Sequence, residues 1–273
     1  MVRKLRKHKM GMVGGVVVGV FAVLSVIGPS ITPHDPYLVD LHLRLAPPSA
    51  SHVFGCDALG RDILSRLLEG ARISLGASLL CVALAAVVGV PIGLVSGYYG
   101  GKLDTVLMRG IDVLLSFPGL LLAIAIISVL GPGLFNAIVA VGLARVPQYA
   151  RVARASALGL REQEFVEAAR ASGATNWRII LLHVFPNSIA PLIVISTLGL
   201  ATTLLTISSL GFLGLGAQPP EPEWGAMLSD GRAYLRNAPH VATIPGIAIM
   251  VVVLAFNLFG DALRDALDPR LKE

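Results

Sequence analysis

Long uncharged stretches alternate with charged breaks along this chain. Met10–Ile27, Ile73–Gly97, Val113–Leu130, Ser188–Leu215 and Val241–Gly260 hold no charged side chain, and a further apolar stretch, Leu134–Ala150, is interrupted by Arg145 alone. A helix crosses a bilayer in roughly 20 residues, so each stretch is long enough or nearly so. Gly131-Pro132-Gly133 divides the third stretch from the fourth in chain order, because proline ends a helix and glycine permits a tight reversal. The pattern predicts six transmembrane helices and an all-α polytopic membrane protein, since every backbone polar group must find its partner inside the lipid.

Composition agrees. Hydrophobic residues make up 55% of the 273 and charged residues 14%, with a mean hydropathy of +0.76. Soluble domains carry about 25% charged residues, so a soluble fold is excluded. The basic start (Arg3, Lys4, Arg6, Lys7, Lys9) would suit a signal peptide. The apolar run after it is long, however, and Pro29 sits badly near a cleavage site, so a retained signal anchor is expected. Lys and Arg gather in that start and around the segment between the fourth and fifth stretches (Arg151, Arg154, Arg161, Arg170, Arg178). The segments on the other side carry Arg44, Arg61, Arg66, Arg72, Arg232 and Arg236. The positive-inside rule then places both termini in the cytoplasm of a prokaryotic plasma (inner) membrane. The net charge of +5 follows from that bias, and no aromatic-basic patch points to nucleic acid. Cys56 and Cys81 fall at different depths and are expected as two unpaired thiols.

The chain divides into residues 1–72 (cytoplasmic tail, first helix and outer loop) and a five-helix core at 73–273 with a cytoplasmic loop at about 155–187. The front of the outer loop is proline-rich (Pro29, Pro33, Pro36, Pro47, Pro48) and should be extended. Its back half predicts an interfacial helix capped by Asp57, with Ile63, Leu64, Leu67 and Leu68 on one face and Asp62 and Arg66 spaced as an i,i+4 pair. Arg61, Asp62 and Arg66 are candidates for contact with a partner outside the membrane.

The cytoplasmic loop has the build of a docking elbow. A first helix over about 160–172 carries Glu167, Ala168 and Ala169. Gly173 suits the left-handed position that ends it. A second helix, capped by Thr175 or Asn176, carries Trp177, Ile180, Leu181 and Val184, and Pro186 redirects the chain into the fifth span. Small alanines let another protein approach the backbone, and Glu167 can accept charge-assisted bonds from a partner. An amphipathic helix lying on lipid headgroups is the plainer alternative.

Glu167-Ala168-Ala169, then Gly173, then His183-Val184-Phe185-Pro186 resembles the coupling loop of ABC importer permeases, EAA-x3-G-x9-I-x-L-P, with His183 and Phe185 replacing Ile and Leu. Phe54-Gly55-Cys56-Asp57-Ala58-Leu59-Gly60-Arg61-Asp62, the Gly211–Pro220 stretch followed by Pro222-Glu223-Trp224-Gly225, and Asn257-Leu258-Phe259-Gly260-Asp261 with Leu267-Asp268-Pro269-Arg270 are similar to the dipeptide/oligopeptide/nickel branch. The resemblance is to the C-type permease of a heterodimeric pair. It implies type I importer architecture and a coupling role for Glu167, Ala168, Ala169, Gly173, His183 and Pro186. It also implies four kinds of neighbour: a second homologous permease, two ATPase subunits, an external solute-binding protein and membrane lipid. Dipeptides or oligopeptides are the expected cargo, with nickel complexes or glutathione-like solutes as alternatives.

The chain itself lacks an engine. The nearest approach to a Walker loop, Gly101-Lys102, has Ser96 at the first glycine position and Leu103 after the lysine, so ATP and Mg are expected in partner subunits. No catalytic residue, cofactor or metal site is expected: His8, His34, His42, His52, His183 and His240 are scattered and read as surface residues. Thr202, Thr206 and Ser209 follow i, i+4, i+7 on the fifth span and are candidates for the translocation pathway, although Ser and Thr also serve helix packing. Arg145 is expected to snorkel to the cytoplasmic surface. An ion-coupled carrier would need a central carboxylate, and Asp104, Asp112 and Asp261 all fall at span ends.

Overall fold

A computed structural model describes residues 9–267. The basic tail before Lys9 and the Asp268-Pro269-Arg270 end of the last signature lie outside the described residues. Ten α-helices follow in order: α1 Lys9–Ile27, α2 Ile63–Tyr99, α3 Gly101–Leu115, α4 Gly119–Leu130, α5 Leu134–Leu160, α6 Glu164–Ala171, α7 Asn176–Ile179, α8 Phe185–Phe212, α9 Trp224–Gly231 and α10 His240–Leu267. Extended pairing among the described residues is a single bridge between Cys56 and Asp62. The fold is all-α, as the apolar pattern predicts. Four helical segments are long and apolar enough to cross a membrane, and the bent pair α3–α4 makes a fifth. α5 is not in that apolar set, but its 27 residues reach about 40 Å at 1.5 Å per residue, long enough to be compatible with the expected count of six.

Several elements depart from the sequence expectation. The third span is broken: α3 stops at Leu115, α4 starts at Gly119, and the two meet at 86°. Pro118 cannot continue the helix and pushes Phe117 out of helical geometry. The supposed interfacial helix is the first part of α2, which runs unbroken for 37 residues. Its N-cap is Asp62, not Asp57; the Asp62 carboxylate accepts from the Ser65 amide at 2.7 Å. The Asp62–Arg66 side-chain pair is therefore not made. Asp57 instead closes a turn over Leu59 and Arg61, whose amides reach its Oδ1 at 2.8 and 3.0 Å. The fourth span continues past Ala150 to Leu160, through Pro147.

The second elbow helix is not separate either. Asn176–Phe212 forms one 37-residue helix, interrupted only by a π-turn at Ile180–Val184. The wider turn absorbs the missing donor and the ring bulk of Pro186, so the proline does not redirect the chain. By contrast, the Gly131-Pro132-Gly133 reversal is found as expected, with φ of 88° and 149° at its glycines.

α2 and α5 run side by side in the same direction along a glycine stripe. A Cβ on Gly89, Gly93 or Gly97 would lie 2.6, 2.2 or 2.5 Å from the carbonyl oxygens of Val146, Ala150 and Arg154. Glycine every four residues is what allows this backbone approach. α1 packs on α10 in the same way at Gly14, where a Cβ would meet the Ala255 carbonyl at 2.8 Å. α9 tucks between α2, α8 and α10, with Trp224 fully buried and its Nε1 donating to the Leu67 carbonyl at 3.1 Å.

Candidate functional site

The elbow is built by α6, α7 and the π-turn. α6 ends in a Schellman turn: the Ala174 amide donates to the Ala169 carbonyl (3.1 Å) and the Gly173 amide to the Arg170 carbonyl (3.0 Å), with Gly173 at φ +82°. Thr175 takes the N-cap position of α7 but makes no side-chain cap bond. Asn176 instead accepts from the Tyr98 hydroxyl at 3.0 Å. Val166, Ile179, Ile180 and Val184 are buried against Leu94, Tyr98, Ala153 and Ala157 from α2 and α5. Arg170 lies over the Tyr98 ring at 5.9 Å. One face of the elbow is thus fixed to the bundle.

The other face is open. Phe165, Trp177, Leu181, Leu182 and Phe185 are exposed beside Glu167 and Ala168. Ala169 is partly buried against the bundle and half-buried His183 sits 6.4 Å from the Phe165 ring. Glu167 has no ion-pair partner among the described residues. Glu167, Ala168, Ala169, Trp177 and His183 are legible in the sequence, whereas the supports behind them are not. Tyr98 joins α6 to α7, and Arg154 clamps Asp104 through two bonds of 2.6 and 2.7 Å. Ser96 donates to the same carboxylate. The only linear signal for that clamp was a charge at the end of each helix.

On α8, Thr202, Thr206 and Ser209 share an exposed or half-exposed face. Each hydroxyl donates to a carbonyl of its own helix at 2.7–3.1 Å. Arg145 does not snorkel outward. Its Nη2 donates to Gln148 at 3.3 Å, its Nε is buried without a partner, and its guanidinium lies near Gly199 of α8.

At the opposite end of the bundle, Arg61, Asp62 and Arg66 are buried rather than projecting. Arg61 and Arg66 pair with Asp57 at 2.7 and 3.4 Å, and Arg61 approaches Asp230 at 3.8 Å. They underlie a cleft of about 410 Å³ that also takes in Gln218, Pro220 and Tyr234. Below it, Glu223 is fully buried and caps α9, accepting from the Ala226 amide (2.9 Å) and from Ser74 and Ser208 (3.2 and 3.3 Å). Burial pushes its carboxyl upward against these donors. The Pro-Glu-Trp-Gly motif marked the place but not the role. Cys56 and Cys81 are free and buried, and burial pushes the Cys56 thiol to about 11.

Comparison with known proteins now assigns the class. Residues 89–273 match the family of binding-protein-dependent transport system inner membrane components, and residues 1–48 match the N-terminal TM domain of oligopeptide transport permease C. The chain is 46% identical over 270 residues to the dipeptide transport system permease protein DppC of Alkalihalophilus pseudofirmus, covering 99% of this chain and 89% of the relative. It is 46% identical over 271 residues to the glutathione transport system permease protein GsiD of Escherichia coli, with the same coverage. Escherichia coli K12 supplies a probable D,D-dipeptide transport system permease protein, DdpC, at 42% over 266 residues, covering 97% and 89%. Among solved structures, the MetNI methionine ABC transporter in inward-facing conformations superposes with a TM-score of 0.59 at 22% identity, over 74% of this chain and 96% of that one. The chain belongs to the binding-protein-dependent transport permease family, in its C-type branch. It is a multi-pass inner membrane permease, and its family is one of transporters, not enzymes.

Proposed function

We propose that this permease forms half of the translocation pathway of an ATP-driven importer for dipeptides or related short peptides. The elbow carries the reading. Its inner face is locked to α2 and α5 while its outer face presents apolar side chains around Glu167 and Ala168, which is how a helix offers itself to a groove on a soluble partner. Both termini and the elbow face the cytoplasm, where two ATPase subunits bind ATP and Mg. Glu167, Ala168, Ala169, Gly173, His183 and Pro186 form the coupling surface. A second homologous permease completes the pathway, lined from this side by Thr202, Thr206 and Ser209. An external solute-binding protein docks at the opposite end, whose shape Arg61, Asp62 and Arg66 maintain. The relatives named for dipeptides, glutathione and D,D-dipeptides support a short peptide as cargo.

The test is uptake by the reconstituted assembly in liposomes. ATP-dependent entry of a dipeptide is expected, and removal of residues 164–174 should abolish it while membrane insertion persists. Unchanged uptake after the deletion would overturn the coupling assignment. Uptake of glutathione or a nickel complex without dipeptide would move the cargo to those alternatives. Uptake by this chain alone without ATP would make it an ion-coupled carrier.

A further inference from the structure

The sequence scatters its histidines, but the fold gathers two of them at the end opposite the elbow. His34 and His52 stack with ring centroids 4.5 Å apart. His52 Nδ1 lies 2.9 Å from Asp62 Oδ1. One ring nitrogen from each histidine and one Asp62 oxygen lie within 4.8 Å of one another. We infer that His34, His52 and Asp62 form a zinc site.

The surroundings hold each ligand in place. Asp62 Oδ2 accepts from the Ser65 amide and hydroxyl, both at 2.7 Å, which leaves Oδ1 turned toward His52. The His34 amide donates to the same Ser65 hydroxyl at 3.1 Å. The Ser51 carbonyl, 2.9 Å from His34 Nε2, orients that ring. Such outer partners are what metal sites use to fix ligand geometry. Asp62 is 3% exposed, and the nearby guanidinium groups of Arg61 and Arg66 pair with Asp57 instead. A buried carboxylate whose neighbours are imidazoles gains much from a divalent cation. Two imidazoles and a carboxylate suit zinc rather than magnesium or calcium, which prefer all-oxygen shells. Ligand atoms around tetrahedral zinc sit about 3.3 Å apart. His52 Nδ1 and Asp62 Oδ1 are already near that spacing at 2.9 Å, and no pair in the cluster has to close by more than about 1.5 Å, within the reach of side-chain rotation. The fourth position is left to water. The ion would staple residues 34 and 52 of the long loop to the N-terminus of α2.

The test uses the full chain in detergent, stripped with a chelator and titrated with zinc against a chromophoric competitor. One ion per chain is expected. His34→Ala and His52→Ala should each weaken binding about 10-fold or more, while His42→Ala, at an exposed position of the same loop, should not. X-ray absorption of the zinc-loaded wild type should show two imidazoles and oxygen. Failure to take up one zinc per chain, affinity unchanged in the double histidine variant, or a spectrum without imidazole would each overturn the site. The absorption measurement needs no variant, so a misfolded mutant does not spare the proposal.

Discussion

Glycines at the α2–α5 seam do work that no larger residue can share. At Gly93 a Cβ would sit 2.2 Å from the Ala150 carbonyl and 2.7 Å from the Ala153 Cβ, both on a rigid helix. Gly93→Leu should lower stability by at least the roughly 1–3 kcal/mol typical of overpacking. Gly76→Leu, where nothing lies within 4 Å, should leave the melting temperature in detergent nearly unchanged. Equal effects at both sites would mean that the seam is not the constraint. Glu223 supplies a second residue-scale prediction, this time in pH. Burial raises its carboxyl, so the folded state holds its proton to higher pH than the unfolded state does. Stability contributed by this group is then present in acid and falls as pH rises through the raised value. Glu223→Gln, which keeps the shape and an acceptor for the Ala226 amide, should flatten the pH dependence of thermal unfolding between acid and neutral pH. A variant as pH-sensitive as the wild type would remove Glu223 as its source.

At the scale of elements, the apolar pattern located the four long apolar helices and the bent pair but misjudged their joints. Uncharged runs report what lipid or core will accept, so Met10–Ile27 and Val241–Gly260 fell inside α1 and α10. They carry no information on direction, so the 86° bend at Pro118 was hidden within an uncharged run. The joining of the elbow to α8 was equally hidden, because a π-turn that accommodates Pro186 leaves no mark in composition. The Schellman end of α6 was legible, since Gly173 is where a left-handed residue was needed. That turn has space around it, with nothing within 4 Å of a Cβ. Gly173→Val therefore isolates the conformational cost of φ +82°, roughly 1–2 kcal/mol, from steric packing. It should reduce ATP-driven uptake while the melting temperature of the purified chain falls by no more than the few degrees that this cost implies. A loss of folded protein instead would show that the turn supports the bundle as well as the elbow.

At the scale of the molecule, two long helices join the elbow to the far end. α2 starts after its N-cap Asp62, beside the histidine pair, and carries in its last turn Tyr98, which bonds the elbow. The Asn176–Phe212 helix starts in the elbow and ends beneath α9. Each has 37 residues, about 55 Å at 1.5 Å per residue, so each acts as a strut across the whole protein. None of this could be read from the four signatures, three of which mark ends of the struts and none their continuity. If motion at the elbow travels as rigid tilting, breaking one strut without loosening its packing should uncouple the ends. Leu182 offers the place: it lies in the π-turn, and its side chain is 59% exposed. Leu182→Pro removes one helix donor and clashes with the Arg178 carbonyl, costing about 3 kcal/mol locally. Leu182→Ala removes the same exposed side chain and keeps the helix. In the assembly, both variants lose the same side chain from the open face of the elbow, so retention of the ATPase subunits through purification should be equal in the two. The proline variant should hydrolyse ATP while importing several-fold less peptide per ATP than the alanine variant. Equal peptide per ATP in the two would mean that the elbow signals through α2 and Tyr98 alone, and Tyr98→Phe should then produce the uncoupling that Leu182→Pro did not.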